Sequence, residues 1–197
     1  MSRNDYNPVL RDVAAEPAIA VLELSSIARG VEICDAILKE AQLELLFATP
    51  VQPGKYVMLF TGSIDDLSSA LRRGTAFSHG DLVDQVLIQQ VHPQVLITLR
   101  RRDGEVNGTI DALGVIETTT VASCIRAADQ ALKRATVDLL DLRIANGLGG
   151  KSYVSLTGEV SDVRSAVHAG ASSAEAEGRL QRQVVIPAPH PDLVRHL

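Results

Sequence analysis

Ala145, Gly150, Lys151 and Ser152 have the spacing of a relaxed Walker A segment, in which glycine amides cradle a nucleotide's phosphates and a lysine neutralises them. That chemistry needs a strand before the loop and a helix after it, so that a helix N-terminus faces the phosphates. Here Tyr153-Val154-Ser155-Leu156 alternates and closes on Thr157-Gly158, which reads as a strand. A second copy of this tail, GKYVMLFTG, occupies residues 54–62 without the serine. Lys151 therefore reads as the start of a hairpin's return strand rather than a phosphate ligand.

The remaining reactive side chains form no set that sequence alone would assign to catalysis. There is no GxSxG elbow, HExxH helix or DxDxDG loop. His79, His92, His168, His190 and His196 are scattered, and His92 and His190 sit beside prolines in turns, where a structural role is expected. Cys34 and Cys124 lack CxxC spacing and fall on apolar helix faces, so they read as small core residues rather than metal ligands, a disulfide or nucleophiles. Glu23 and Glu117 close similar apolar segments and read as hydrogen-bonded structural carboxylates. Lys39 and Lys133 end helices, where a cation complements the helix dipole.

The composition narrows the partners. A net charge of −5, no Trp, three Tyr and three Phe leave no basic surface interleaved with stacking aromatics, so no nucleic-acid partner is expected. The basic run Arg100 to Arg102 is followed at once by Asp103 and Glu105 and reads as solvated linker. No apolar run approaches the ~20 residues that span a bilayer, and the N-terminus lacks a signal peptide's apolar core. A soluble, cytosolic chain is expected, with no membrane partner.

The elements that would hold these residues are written twice. Ala18, Val21, Glu23, Asp35, Leu38 and Lys39 recur 94 positions later as Ala112, Val115, Glu117, Asp129, Leu132 and Lys133. Gly54, Lys55, Thr61 and Gly62 recur at 96 as Gly150, Lys151, Thr157 and Gly158, and His92-Pro93 recurs at 98 as His190-Pro191. Each copy predicts a strand (19–24, 113–118), a helix, a hairpin (43–51 with 55–61, 137–145 with 151–157), a helix near Ser63 or Val160, a strand (83–91, 183–187) and a short terminal helix. The first-helix stripe is read from Val121, Cys124, Ile125, Ala128 and Leu132, and from Ile27, Gly30, Val31, Cys34 and Leu38. Ser63 with Asp66 suggests an N-cap. The order predicts an α+β chain of two tandem ferredoxin-like β-α-β-β-α-β domains, neither circularly permuted, each an antiparallel sheet with helices on one face. Residues 1–17 read as a loose extension, 18–99 as the first domain, 100–109 as linker and 110–197 as the second domain.

On AVLELSSIARGVEICDAILKEA at 20–41, ALGVIETTTVASCIRAADQALKRA at 112–135, IANGLGGKSYVSLTGEVSDV at 144–163 and VVIPAPHP at 184–191, the chain resembles the bacterial microcompartment shell proteins. It is most similar to their tandem-domain members, such as those of propanediol-utilisation compartments. The resemblance implies a homotrimer whose six domains form a pseudohexameric tile, packed with other shell proteins around encapsulated enzymes, with no catalysis of its own. It implies a central pore for metabolites lined by Val51, Gln52, Pro53 and Gly54 alternating with Asn146, Gly147, Leu148, Gly149 and Gly150. It implies lattice-edge roles for Lys39 and Lys133 and for the turns holding His92 and His190. Ala188 and Gln90 stand where the family's turn arginine is common, so weaker or different lattice contacts are expected. Some tandem members hold an iron–sulfur cluster on a pore cysteine; Gln52 occupies that position here, so no cluster or other cofactor is expected. The rival readings are a ferredoxin-like trimer that binds a small regulatory molecule and, more remotely, a nucleotide-dependent enzyme using Lys151.

Overall fold

Strand β1 (Ala18–Leu24) is buried along its whole length, which a strand achieves only when both faces of its sheet are covered. The computed structural model describes residues 18–101, 110–144 and 148–194, and of residues 100 and 101 the backbone alone. After β1 the chain runs α1 (Ile27–Glu40), β2 (Glu44–Val51), β3 (Lys55–Gly62), α2 (Ile64–Phe77), β4 (Leu82–Ile88) and α3 (Pro93–Arg101). The second half repeats the order as β5 (Ala112–Thr118), α4 (Val121–Arg134), β6 (Asp138–Ile144), β7 (Ser152–Gly158), α5 (Val160–Ala176), β8 (Leu180–Pro187) and α6 (Pro191–Val194). Each half forms a four-stranded antiparallel sheet, in the orders β2-β3-β1-β4 and β6-β7-β5-β8. This is the tandem ferredoxin-like arrangement that the duplicated pattern predicts, and both copies keep the same element order.

The pleat sorts β1 into two cores, because successive side chains leave a strand on opposite faces. Ala18, Ala20, Leu22 and Leu24 join Ile33, Cys34 and Ile37 of α1 and Leu67 and Ala70 of α2. Ile19 and Val21 join Val57, Leu59 and Val86 in a second cluster, which includes Val95, Leu96 and Leu99 of α3 and continues into α4 of the second domain. The two domains thus share one apolar core. The register irregularities recur too, between Glu23 and Leu24 and between Glu117 and Thr118, so even the strand kinks are duplicated.

Local signals set the helix ends. Ser26, Ser63 and Thr120 accept hydrogen bonds from the amides of Arg29, Asp66 and Ser123, three residues into α1, α2 and α4. In the second domain α4 and α5 approach closely at Gly170, where an added Cβ would lie 2.5 Å from the carbonyl oxygen of Ala127.

Three expectations are corrected. The α1 stripe holds only in part: Gly30, Ile33, Cys34 and Ile37 are buried, while Ile27, Val31 and Leu38 are exposed. Their counterparts in α4, Val121, Ile125 and Leu132, are buried because α4 packs against β4, β1 and α3 of the first domain as well as against its own. Among the described residues nothing covers the matching face of α1. Lys151 precedes β7 rather than starting it, whereas Lys55 does start β3. Helix α3 runs to Arg101, into the segment read as linker; residues 102–109 and the extension 1–17 lie outside the described residues.

Candidate functional site

The two hairpin turns meet. The first, Gln52-Pro53-Gly54, is exposed, follows buried Val51, contains a cis Gln52–Pro53 bond and closes with the Gly54 amide donating to the Val51 carbonyl at 3.0 Å. The second closes with the Lys151 amide donating to the Leu148 carbonyl at 3.2 Å, with Gly149 and Gly150 at φ of 60° and 88°. Only glycine adopts these values without strain. A Cβ on Gly150 would lie 2.9 Å from Pro53 Cδ and 3.3 Å from the Gln52 carbonyl oxygen, so the second turn's backbone is seated directly on the first. Asn146 and Gly147 lie outside the described residues. The structure thus brings Gln52, Pro53 and Gly150 together from opposite halves of the chain.

Beneath the turns is a buried ion pair that sequence reasoning did not locate. Glu23 is fully buried; its Oε1 lies 2.8 Å from Lys55 Nζ, and its Oε2 accepts from the Val121 amide at 2.7 Å. Glu23 of the first domain therefore caps the first turn of α4 in the second, where a carboxylate also suits the helix dipole. Lys55 donates as well to the carbonyls of Thr119 at 3.3 Å and Gly150 at 3.4 Å, tying the first turn's lysine to the second turn. The second copy repeats the pair, Lys151 Nζ to Glu117 Oε1 at 2.9 Å, but with side chains 48% and 32% exposed against 18% and 0% for Lys55 and Glu23. Lys151 is thus a carboxylate's partner, which accounts for it without a phosphate. The signal that marks these pairs in sequence is the joint recurrence of glutamate and lysine in both copies.

The edge residues fall into the same unequal pattern. Lys133 binds Asp129 at 2.7 Å, and Asp129, 1% exposed, also accepts from the His92 amide at 2.8 Å, so Lys133 and His92 meet where the first domain packs on α4. Burial holds His92 below the usual histidine range, opposed by nearby Asp129 and helped by Lys133. Lys39 makes the equivalent bond to Asp35 at 2.6 Å, but both are exposed, and His190 is exposed beside Asp192. Cys34 and Cys124 are buried in α1 and α4; burial pushes the Cys124 thiol up to about 12, so it stays protonated and unreactive. Among the described residues no group of three or more His, Cys, Asp or Glu side chains is arranged to hold a metal ion.

The BMC domain family model matches this chain twice, over residues 18–91 and 112–189, which are the two sheet-and-helix units. The bacterial microcompartment shell protein PduT of Citrobacter freundii is 38% identical over 183 residues, covering 91% of this chain and 97% of its own. The chain belongs to the bacterial microcompartment shell proteins. A further relative, the carboxysome assembly protein CcmO of Synechococcus elongatus, is 30% identical over 192 residues, 91% of this chain and 68% of its own. The crystal structure of a microcompartment protein from Desulfitobacterium hafniense DCB superposes with a TM-score of 0.80 at 45% identity, over 92% of this chain and 99% of that one. A fused permuted hexameric shell protein of the RMM microcompartment, at 22% identity and a TM-score of 0.62, agrees in fold alone.

As a tandem-domain shell protein, the chain has its place in the shell of a bacterial microcompartment, and no described helix is long and apolar enough to cross a membrane. The segments quoted for the family resemblance fall on β1 and α1, on β5 and α4, on β7 with the start of α5, and on the end of β8 with the turn after it. There Ala188 takes a left-handed φ of 46°, its amide donating to the Asp111 carbonyl at 2.8 Å.

Proposed function

We propose that this shell protein assembles as a homotrimer, a pseudohexameric tile whose central pore is formed by the two kinds of turn and passes polar metabolites. One observation carries the reading: among the described residues, the contact between the domains uses half of each domain's matching surface and leaves the other half uncovered. Within the chain, α4 of the second domain packs on β4 and α3 of the first. The equivalents left over are α1 of the first domain, with Ile27, Val31 and Leu38 exposed at 42%, 51% and 39%, and the β8 and α6 side of the second, with Val184 and Leu193 at 43% and 42%. Joining one copy's α1 to another's β8 and α6 repeats the internal contact head to tail, and a rotation that closes makes a ring.

The ring places Gln52-Pro53-Gly54 of one domain next to Leu148-Gly149-Gly150 of the next around the axis. Backbone amides and small side chains there offer donors to passing polar solutes, and the two sequences lower sixfold symmetry to threefold. Lys39 and Lys133 with the His92 and His190 turns form the tile edge that meets other shell proteins and, on the inner side, encapsulated enzymes. The tile performs no catalysis and holds no iron–sulfur cluster, a reading supported by Gln52 in the turn and by the placement of both thiols in helices.

Light scattering tests the assembly directly: a trimer at working concentration is expected, and a monomer overturns the tile. Leu148→Arg tests the pore and is expected to change the passage of charged solutes through reconstituted shells; identical permeation removes the pore assignment. Stoichiometric binding of a metabolite with no sheet formation favours the regulatory trimer instead.

A further inference from the structure

The two seams of the proposed ring, one within the chain and one between chains, occupy equivalent positions of the repeat, yet their charges differ. Within the chain the first domain contributes a carboxylate and the second contributes guanidiniums. Asp84 of β4 accepts from Thr120 Oγ1 at 2.5 Å and lies 3.9 Å from Arg179 Nε. Arg179 also donates to the Val83 carbonyl at 2.7 Å, and Arg126 of α4, itself paired with Glu177, donates to the Gln85 carbonyl at 3.2 Å.

The repeat carries each of these positions onto the uncovered surfaces. Asp84 pairs in register with Glu23, and Arg182 with the matching Glu117, so Asp84 corresponds to Arg182. The Ser25 amide donates to the Asp81 carbonyl at 2.8 Å and the Thr119 amide to that of Arg179 at 2.9 Å, so Arg179 corresponds to Asp81. Arg126 corresponds to Glu32 at the helix offset of 94. At all three positions the sign inverts. Glu32 binds Arg29 at 2.6 Å along its own helix, Asp81 accepts from Ser25 Oγ at 3.0 Å, and Arg182 is exposed with no ion pair among the described residues.

We infer that this inversion is a pairing code by which the surface of α1 accepts the β8 side of a second copy of this chain and rejects a second first domain. The inference rests on the trimer reading and adds what selects the partner. A first domain docked on another first domain would set Asp84 against Asp81 and Glu32. A second domain docked on another second domain would set Arg182 against Arg179 and Arg126. Only the alternating order places Arg182 beside Asp81 and Glu32, opposite in sign to the internal seam and equally complementary. Like charges facing each other across an interface suppress wrong partners more strongly than matched rim charges add affinity. The code is confined to this part of the seam. Gln94, which donates to Asp138 and accepts from the Leu139 amide, corresponds to Asp192, and Asp138 to Glu44, so that end carries no charge match between chains.

The test is exchange of subunits between two fluorescently labelled pools of the full chain, with light scattering for mass and circular dichroism for fold. Arg182→Asp, at an exposed site, is expected to keep the wild-type spectrum and melting while trimers exchange about tenfold faster or more, an effect reduced by salt. Adding Asp81→Arg rebuilds the Asp–Arg arrangement of the internal seam and is expected to return exchange toward wild type. Wild-type trimers with an Arg182→Asp variant that exchanges at the wild-type rate overturn the code alone, as does a double variant no slower than the single. A wild-type chain that stays monomeric overturns the trimer reading and the code with it.

Discussion

Glu23→Ala is the most informative single perturbation of the chain, because one carboxylate joins the two domains and its duplicate does not. Glu23 has no exposed surface, a lysine at 2.8 Å and a helix amide at 2.7 Å. Removing one member of a buried ion pair costs about 3–5 kcal/mol, since the remaining charge is left desolvated. Lys55 keeps two carbonyl partners and is 18% exposed, which places the expected loss near the lower end, at about 3 kcal/mol. With a urea slope of about 2 kcal/mol per molar, the unfolding midpoint falls by roughly 1.5 M. Glu117→Ala breaks the duplicate pair, but with its side chains 48% and 32% exposed it is expected to cost the chain only about 0–1 kcal/mol. In the proposed trimer its effect falls instead on dissociation, because the residue matching Val121 is Ile27, which the proposed ring would supply from a second copy. Urea titration followed by circular dichroism compares the two, and Glu23→Ala combined with Lys55→Met is expected to recover stability by removing the stranded ammonium. A Glu23→Ala chain within about 0.5 kcal/mol of Glu117→Ala would refute the assignment of the buried pair as the link between domains.

Gly150→Ala forces a side chain into a φ of 88° and against Pro53, so a loss of about 1–2 kcal/mol is expected in the same titration, and wild-type stability would mean that the turns do not abut. Lys39→Asp is expected to leave chain stability within about 0.5 kcal/mol while disrupting sheets seen by electron microscopy, and unchanged sheets remove the edge assignment. Lys133→Asp adds a fold defect by placing a second carboxylate beside buried Asp129, so Lys39 is the cleaner probe. Cys124 titrates at about 12 when folded against an ordinary 9.0, so the folded state holds the proton more tightly; that stability is complete below pH 9 and is lost as pH rises from 9 towards 12, a loss that Cys124→Ala removes. His92 is shifted the other way, by burial first; its folded state binds protons less readily, so stability is complete above pH 6.5 and declines as pH falls below it, and His92→Gln is expected to flatten that decline.

The legible part of the site was its local part. Ser63 capping α2 and both buried cysteines follow from residue type and helical spacing, and the glycines after each hairpin follow from turn chemistry. The Glu23, Lys55 and Val121 contact was not legible, because it joins residues on three elements and on both domains, which no local period reports. The α1 stripe failed for a related reason. Ile27, Val31 and Leu38 are as apolar as their counterparts in α4, and hydrophobic spacing shows that a face is meant to be covered without showing whether the cover lies in the same chain.

By itself the sequence determined the duplicated β-α-β-β-α-β order, the helix caps, the hairpin turns and the family, since each depends on contacts within a few residues or on comparing one half with the other. Tertiary structure alone decided that the halves are used unequally. Packing α4 against the first domain buries Glu23, seats Gly150 on Pro53 and buries Asp129 against the His92 amide, while the same surfaces of the duplicate stay open. A chain of two similar domains has one internal seam and two unmatched ends, so equivalent residues meet different surroundings however alike their sequences are.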